Sequence, residues 1–323
     1  MLQMLVDSRW LLLCGAVFAF AMTLVLMRAL ADKLPHDQGR AFAVDGSLSK
    51  GKVRGVGIVF VLVFVVANIL FNTMNIESII YMVVITACML TGFFDDAAEK
   101  PWNEYLKGAL DFVLAVIVAV TYLYFNGNSF LIGILGGVEV TIPYIVYAIL
   151  IIALVWVAIN VTNCTDGVDG LSATLSIVTL GSFYFLYRTF SAMSGYSYMI
   201  ALFMIVLVAY LWYNATPSTM LMGDAGSRAM GMMIAITALL SGSPLLYIPF
   251  SFVMIMDGGL GLLKVSVIRF LKIKGFMKNI RCPLHDQARK VNEWSNTQVV
   301  FRFAIIQIAI SIFFAWCYVF MNV

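Results

Sequence analysis

Acidic, amide and glycine residues are concentrated in four short stretches of this 323-residue sequence. In chain order the stretches are TGFFDDAAEK at 91–100, NVTNCTDGVDGLSA at 160–173, NATPSTMLMGDAGSRAMG at 214–231 and CPLHDQARK at 282–290. Long apolar runs separate them, so each lies at the mouth of a predicted helix. Side chains of this kind, gathered from several helices, could bind a cation and a phosphorylated substrate.

The ligand types in these stretches favour a hard divalent cation. Carboxylates that converge beside a membrane are costly unless they are paired, hydrated or bound to a cation. The chain has only two histidines, His36 and His285, and its five cysteines lack zinc-site spacing. Oxygen ligands favour Mg²⁺ or Mn²⁺, and Mg²⁺ usually works together with substrate phosphates. Glycines beside the carboxylates allow the backbone to approach a ligand closely. The sequence therefore predicts a Mg²⁺–phosphate site.

Each stretch taken alone also has an ordinary structural interpretation. The adjacent Asp95 and Asp96 would be typical of a solvated helix end, Asp224 could belong to a turn, and an isolated His285 is more often structural. The NxxNxxDGxDG pattern at 160–170, however, is denser in Asn, Asp and Gly than a helix connection requires. Basic residues complete the set, namely Lys50, Lys52, Arg54, Lys100, Lys107, Lys272, Lys274, Lys278, Arg281, Arg289 and Lys290. The combination favours a functional interpretation.

The composition indicates the scaffold that must position these residues. The chain is 62% hydrophobic and 11% charged, with a mean hydropathy of +0.97, whereas soluble domains carry about 25% charged residues. This excludes a soluble enzyme, a disordered chain and a disulfide-rich secreted domain. We predict an all-α polytopic membrane protein with one domain over 1–323. Its apolar runs predict about ten transmembrane helices near 10–29, 56–73, 76–94, 107–125, 143–161, 170–187, 197–213, 228–241, 244–270 and 298–320.

Charge predicts the orientation of these helices. With ten spans, the loops alternate between two sides, and 18 of the 20 Lys and Arg residues fall on one of them. The positive-inside rule makes that side cytoplasmic and both termini external. The same side carries 14 of the 17 acidic residues, which orientation does not require. Residues 126–142 are predicted to form a small external hairpin between helices 4 and 5.

The four stretches, in this order, resemble the polyprenyl-phosphate N-acetylhexosamine-1-phosphate transferases. Within that superfamily the chain is most similar to the bacterial phospho-N-acetylmuramoyl-pentapeptide transferases. The resemblance runs from GKVRGVG at 51–57 to EWSNTQVVFRF at 293–303. It implies ten spans, a homodimer in the bacterial plasma membrane and an active site on its cytoplasmic face. The implied reaction joins UDP-MurNAc-pentapeptide to undecaprenyl phosphate with Mg²⁺, giving lipid I and UMP; no nucleic-acid partner is expected.

The resemblance also implies roles for individual residues. Asp95 matches the aspartate that deprotonates or orients the lipid phosphate, Asp96 its neighbour beside the metal, and Asp224 the metal ligand. Lys107 matches a phosphate-pairing lysine, and His285 the first histidine of a catalytic run. The residues expected to bind substrate are Asn160, Asn163, Asp166, Gly167, Asp169 and Asn214, together with Lys50 or Lys52.

Departures from the family pattern leave the sugar open. The muramoyl enzymes usually carry three consecutive histidines, but here Asp286 and Gln287 follow His285. Asp257 in the ninth span is more typical of the GlcNAc-1-phosphate transferases. The alternatives are therefore a transferase acting on UDP-GlcNAc or another UDP-hexosamine and, from a different class, an ion-coupled transporter. For the transferase, direct attack by the lipid phosphate is the preferred mechanism, with Asp95 or Asp96 as a covalent nucleophile the alternative.

Overall fold

A computed structural model describes residues 8–39, 49–100, 102–133, 137–190, 196–273 and 275–322. For residues 8 and 9 it describes the backbone alone. The predicted external N-terminus and Lys274 lie outside these ranges. The helices are α1 (Ser8–Leu30), α2 (Gly57–Phe71), α3 (Ile76–Ala97), α4 (Glu104–Asn126), α5 (Tyr144–Thr165), α6 (Leu171–Thr189), α7 (Ser197–Asn214), α8 (Gly223–Leu240), α9 (Tyr247–Phe250), α10 (Phe252–Met254), α11 (Leu260–Phe270), α12 (Leu284–Lys290) and α13 (Asn296–Asn322). The strands are β1 (Val53–Arg54), β2 (Ser129–Ile132), β3 (Val138–Thr141) and β4 (Met220–Leu221).

Helix α8 forms the centre of the bundle. Every residue of α8 except Asp224 is buried, and α2, α3, α5 and α6 pack around it. The packing is close enough to require glycine: a Cβ added at Gly57, the first residue of α2, would lie 2.1 Å from the backbone nitrogen of Gly226. Since real Cβ atoms do not approach so closely, the start of α2 can lie against α8 only with glycine at this position.

The described residues include six helices that are long and apolar enough to cross a membrane: α1, α3, α4, α5, α7 and α13. A seventh crossing would be a broken one, since Pro244–Phe250 and Phe252–Phe270 are bent by 71°. The expected continuous span over 244–270 is therefore wrong, and a π-helical turn at Ile255–Gly259 interrupts it further. The chain is a mostly helical, multi-pass membrane protein. The remaining predicted spans coincide with α2, α6 and α8, and the total of ten stays a prediction.

The bundle has two distinct ends. At one end, the last turns of α3, α5 and α7 meet the first turns of α4 and α8, and β1 pairs in parallel with β4. At the other end, β2 pairs with β3 in an antiparallel arrangement between α4 and α5. The end of α13 joins it there, because the Asn322 amide donates to the Gly133 carbonyl over 2.9 Å. This pair lies where the sequence predicts the hairpin; its side of the membrane, and that of the termini, stay predictions.

Candidate active site

A polar cavity of about 400 Å³ opens at the end of the bundle that carries the four acidic stretches. It lies between the loop after α5, the loop after α7 and the first turn of α8. Of the residues predicted from sequence, the cavity is lined by Lys52, Asn163, Asp166, Gly167, Asp169, Asn214 and Asp224. The structure thus gathers seven predicted residues, separated by up to about 170 positions in the chain, around one space large enough for a small ligand.

The start of α8 brings Asp96 and Asp224 together. Gly223 has a φ of +66°, a left-handed conformation that glycine adopts readily, and a Cβ there would lie 2.1 Å from Asp96 Oδ2. Asp96, in the last turn of α3, also accepts a hydrogen bond of 3.1 Å from the backbone N–H of Ala225. Its carboxylate is therefore buried against the N-terminus of α8, where the helix dipole favours negative charge.

Arg54 connects three carboxylates at the cavity wall. Its Nε donates to Asp96 over 2.8 Å, one terminal nitrogen donates to Asp37 over 3.0 Å, and the other lies 3.6 Å from Asp224 Oδ1. The pairing of β1 with β4, which aligns Arg54 with Leu221, holds it there. Burial alone would lower the Arg54 pKa, but the carboxylates, Asp96 first, raise the pKa above its ordinary value. Arg54 is a permanent cation of the site.

Lys107 approaches Asp224 from the opposite side. Asn103 caps α4 by accepting from the Tyr105 N–H, which places Lys107 in the first turns of that helix. Its ammonium contacts the Asp95 carboxylate and lies 3.5 Å from Asp224 Oδ2. Asp95 also accepts a 2.7 Å hydrogen bond from the Trp102 N–H. Asp224 therefore lies between two cations, with Arg54 on the cavity side and Lys107 beyond it.

The carboxylates fit a Mg²⁺ ion held jointly with a substrate, but not a cage made by the protein alone. Four carboxylates, Asp37, Asp95, Asp96 and Asp224, share two cations, which leaves an excess of two negative charges. The Asp224 side chain is 15% exposed and the Asp96 side chain is fully buried. Among the described residues, no group of three or more His, Cys, Asp or Glu side chains is arranged to hold a metal. One open carboxylate plus phosphate oxygens is the usual protein environment of Mg²⁺.

The Asp166–Asp169 loop is held against the loop after α7. Asp169 accepts a 3.0 Å hydrogen bond from the Ser218 N–H and lies 3.7 Å from the Lys52 ammonium, which donates to Ser218 Oγ over 2.9 Å. Asn214 accepts from the Gly170 N–H and donates to the Met220 carbonyl, both over 2.8 Å. Asn214 thus holds the two loops together at the cavity wall, and its predicted role in substrate binding stays a prediction.

The remaining predicted site residues lie outside the cavity lining. Lys50 is exposed, and Asn160 donates to the Trp156 carbonyl within α5. Asp95, Asp96 and Lys107 lie behind Asp224, and His285 is buried behind Gly167. Of the two lysines predicted as alternatives for substrate binding, Lys52 lines the cavity and Lys50 does not.

The cavity also contains residues that sequence reasoning did not select. Arg54 and Arg289 are two of the eleven basic residues in the predicted set, and Asp37 lies outside the set predicted from sequence. Lys52 and Arg54 are two positions apart, so on an extended strand they would face the same side, but Lys50 shares this spacing and the pattern does not select Arg54. Asp37 lies in a region without periodicity and offers no comparable signal.

Comparison with known proteins finds relatives that match most of this chain. The sequence model of glycosyl transferase family 4 matches residues 78–242, a range that includes Asp95, Asp96, Asp166, Asp169 and Asp224. The chain is 40% identical to a phospho-N-acetylmuramoyl-pentapeptide-transferase of Treponema pallidum, over 85% of this chain and 80% of the relative. It is 26% identical to proteins of the same name from Clostridium acetobutylicum, over 84% and 87% of the two chains, and Borreliella afzelii, over 92% of each.

These matches confirm the resemblance that the motifs carry, because their coverage extends well beyond the four short stretches. The chain belongs to glycosyl transferase family 4 and, within it, to the family of the phospho-N-acetylmuramoyl-pentapeptide-transferases.

Proposed function

We propose that this protein transfers phospho-MurNAc-pentapeptide from UDP-MurNAc-pentapeptide to undecaprenyl phosphate, forming lipid I and releasing UMP. The names of its relatives suggest the sugar and peptide, and one observation of this structure carries the chemistry. Asp224 lies between a polar cavity with Arg54 on its wall and the Lys107–Asp95 pair beyond it. Two phosphorylated substrates can thus approach the same carboxylate from two sides.

The cavity is suited to the nucleotide substrate. Its volume of about 400 Å³ is within the usual range of ligand pockets, and Lys52, Arg54 and Arg289 all line it. Arg289 and Lys52 lie near the Asp166–Asp169 loop, whereas Arg54 lies near Asp224. A nucleoside diphosphate bound along this line would extend its phosphates toward Arg54 and Asp224, where the guanidinium would donate charge-assisted hydrogen bonds to them.

Lys107 is suited to the phosphate of the lipid. Its side chain is 25% exposed and lies in the first turns of α4, a helix long and apolar enough to cross the membrane. A lipid whose isoprenoid chain lies in the bilayer would place its phosphate level with these first turns of α4. Asp95 beside Lys107 would keep that phosphate deprotonated and oriented toward Asp224.

We infer direct attack as the mechanism. An oxygen of the lipid phosphate forms a bond to the β-phosphorus of the UDP-sugar, the bond from this phosphorus to the bridging oxygen breaks, and its electron pair leaves with UMP. Mg²⁺ bound by Asp224 would neutralise the diphosphate and stabilise the leaving group. Arg54 and Lys107 position the two phosphates, and positioning is the main requirement of phosphoryl transfer. Direct attack is favoured over a covalent intermediate because both Asp95 and Asp96 are buried and engaged with cations.

The same proposal includes location and assembly. The cavity lies at the end of the bundle rich in Lys and Arg, which the positive-inside rule assigns to the cytoplasm, where UDP-sugars are soluble. The concentration of carboxylates at that end also favours a transferase over a transporter, whose charged groups lie near the bilayer midplane. A homodimer in the bacterial plasma membrane is expected from the family resemblance.

The assay of UMP release from purified protein tests this function. With undecaprenyl phosphate and Mg²⁺, we expect release from UDP-MurNAc-pentapeptide and none above background from UDP-GlcNAc. Removing Mg²⁺ with a chelator should stop release, and adding it back should restore release. Faster turnover of UDP-GlcNAc than of UDP-MurNAc-pentapeptide would show that the proposed sugar is wrong. The absence of UMP release with any UDP-hexosamine would exclude the function.

The two lysines of the 50–52 segment should differ in their effect on the nucleotide substrate. Lys52→Ala is expected to raise the KM for the UDP-sugar by about tenfold with little change in kcat, since it removes one charge-assisted contact. Lys50→Ala is the matched control and should leave both constants unchanged, because Lys50 is exposed outside the cavity. Steady-state kinetics at saturating lipid phosphate measures both. Equal effects of the two substitutions would contradict the assignment to Lys52.

A further inference from the structure

The buried His285 is held by a carboxylate from the broken span. His285 is 3% exposed and Asp257 is fully buried. The Nδ1 atom of His285 lies 2.8 Å from Asp257 Oδ2 and 3.1 Å from Oδ1, and its backbone N–H donates to Oδ1 over 2.7 Å. One carboxylate therefore fixes both the imidazole ring and the first turn of α12.

The backbone around Asp257 is unusual in a way that explains this contact. Asp257 lies in the π-helical turn Ile255–Gly259, where the bent span packs against the end of α5. A Cβ added at Gly258 would lie 2.4 Å from the Val161 carbonyl, so the turn is in backbone contact with the helix that leads into the Asp166–Asp169 loop. Single π-helical turns occur frequently at functional sites, and a carboxylate buried at such depth requires a hydrogen-bonding partner.

The opposite edge of the ring faces the cavity wall. A Cβ added at Gly167 would lie 2.3 Å from His285 Nε2, and Nε2 is 3.7 Å from Asp286 Oδ1. Arg289, which lines the cavity, donates to Asp286 over 2.7 Å and to the Gly167 carbonyl over 3.2 Å. The contacts therefore run without interruption from Asp257 through His285 to the Gly167 backbone and Arg289.

We propose that Asp257 is a positioning residue for catalysis: it holds the proton of His285 on Nδ1, so that Nε2 faces Gly167 and α12 presents Arg289 to the cavity. The nitrogen of a histidine that carries the proton is set by the hydrogen bond that the ring makes. A buried aspartate orients the imidazole of serine proteases in the same way. The catalytic consequence rests on the proposed function, whereas the state of the ring does not.

The state of the ring can be measured without any substrate. The chain has only two histidines, and His36 is exposed, so a His36→Gln protein labelled with ¹⁵N-histidine reports His285 alone. Its ¹⁵N spectrum at neutral pH should show a protonated Nδ1. In the Asp257→Asn protein, whose amide can still accept from the backbone but can also donate to the ring, this preference should be lost. An unprotonated Nδ1 in the protein with Asp257 would overturn the proposal.

The effect on catalysis is tested by a double-mutant cycle with UDP-MurNAc-pentapeptide. Asp257→Asn and His285→Gln should each lower kcat/KM by about tenfold or more, as loss of an orienting partner does at other sites. The double variant should be no worse than the more severe single variant, since residues that act as one unit are non-additive. Glu293→Gln, an exposed position just after the same helix, is the control and should leave kcat/KM unchanged. Additive losses would mean that Asp257 acts independently of His285.

The ¹⁵N spectra and the kinetic cycle distinguish a failure of the positioning role from a failure of the proposed function. If the purified protein releases no UMP, the proposed function is wrong, but the ¹⁵N spectra still decide the state of the ring. If the protein is active and the Asp257→Asn variant retains its normal kcat/KM, the positioning role is wrong and the function stands. If the Asp257→Asn protein elutes as an aggregate in detergent, Asp257→Glu, which keeps the carboxylate, takes its place in the cycle with His285→Gln. Full additivity of these two substitutions would also contradict the proposal.

Discussion

Replacing Asp224 with Asn should lower UMP release by about 10³-fold, because this carboxylate is the point where both substrates and the metal would meet. The amide keeps the size of the side chain but removes the negative charge between Arg54 and Lys107, 3.6 and 3.5 Å away. The two cations would then repel each other across a neutral group. The Mg²⁺ ion would also lose the carboxylate at the start of α8 that lines the cavity.

The Asp224→Asn experiment needs a control and a second measurement. Glu99→Gln is the matched control, because Glu99 is exposed three residues beyond Asp96 and should leave UMP release unchanged. Binding of Mn²⁺, followed by its electron paramagnetic resonance spectrum with the UDP-sugar present, should weaken in Asp224→Asn and remain normal in Glu99→Gln. Turnover within tenfold of the unmodified protein would overturn the central role of Asp224.

The acidic half of this site could be predicted from sequence. Asp95, Asp96, Asp166, Asp169 and Asp224 stand next to Gly or to each other at helix mouths, and the alternation of spans places all of these mouths at one end of a bundle. Their convergence follows from topology, which apolar runs reveal clearly. The distances between them do not follow, because they depend on which helices are neighbours in the bundle.

The basic half could not be predicted in the same way. Arg54 reaches Asp96 and Asp224 because β1 pairs with β4, and each of these strands has two residues, too few to show a strand period. Lysines and arginines on this side are also explained by membrane orientation, so their sequence signal is ambiguous. Only the packing of the loops distinguishes Lys52 from Lys50 and selects Arg54 and Arg289 among the basic residues.

The buried ion pair of Asp111 and Arg228 has a recognisable spacing in the sequence. Asp111 lies four residues after Lys107 on α4, and Arg228 lies four residues after Asp224 on α8, so each pair shares a helix face. The Arg228 guanidinium contacts Asp111 in the buried interior, one turn below the contact of Lys107 with Asp224. The charges alternate between the two helices, and this complementarity fixes their register. The broken ninth span also carries a sequence signal, because Pro249 lies just before the bend and Gly258 and Gly259 lie in the π-helical turn.

Gly57→Ala should have the second large effect, through the backbone and not through a charge. The added Cβ would lie 2.1 and 2.4 Å from the nitrogen and Cα of Gly226 and 2.7 Å from the carbonyl carbon of Ala225, and backbone atoms cannot rotate away as a side chain would. The start of α2 is also tied to the segment before α8, since the Val56 and Gly57 N–H groups donate to the Leu221 and Met222 carbonyls over 3.3 and 3.2 Å. Moving α2 away from α8 should cost about 1–3 kcal/mol of unfolding free energy.

The same displacement should affect catalysis, because Arg54 precedes Gly57 by three residues and Asp224 precedes Gly226 by two. A shift of about 1 Å between Arg54 and Asp224 is enough to lower kcat by roughly 10²-fold. Gly108→Ala is the matched control: nothing lies within 4 Å of the added Cβ, alanine is the better helix former by about 1 kcal/mol, and the position adjoins Lys107. Thermal unfolding in detergent and UMP release should both fall in Gly57→Ala and stay normal in Gly108→Ala. A Gly57→Ala protein with unchanged Tm and turnover would mean that the close packing of α2 on α8 does not hold Arg54 against the catalytic carboxylates.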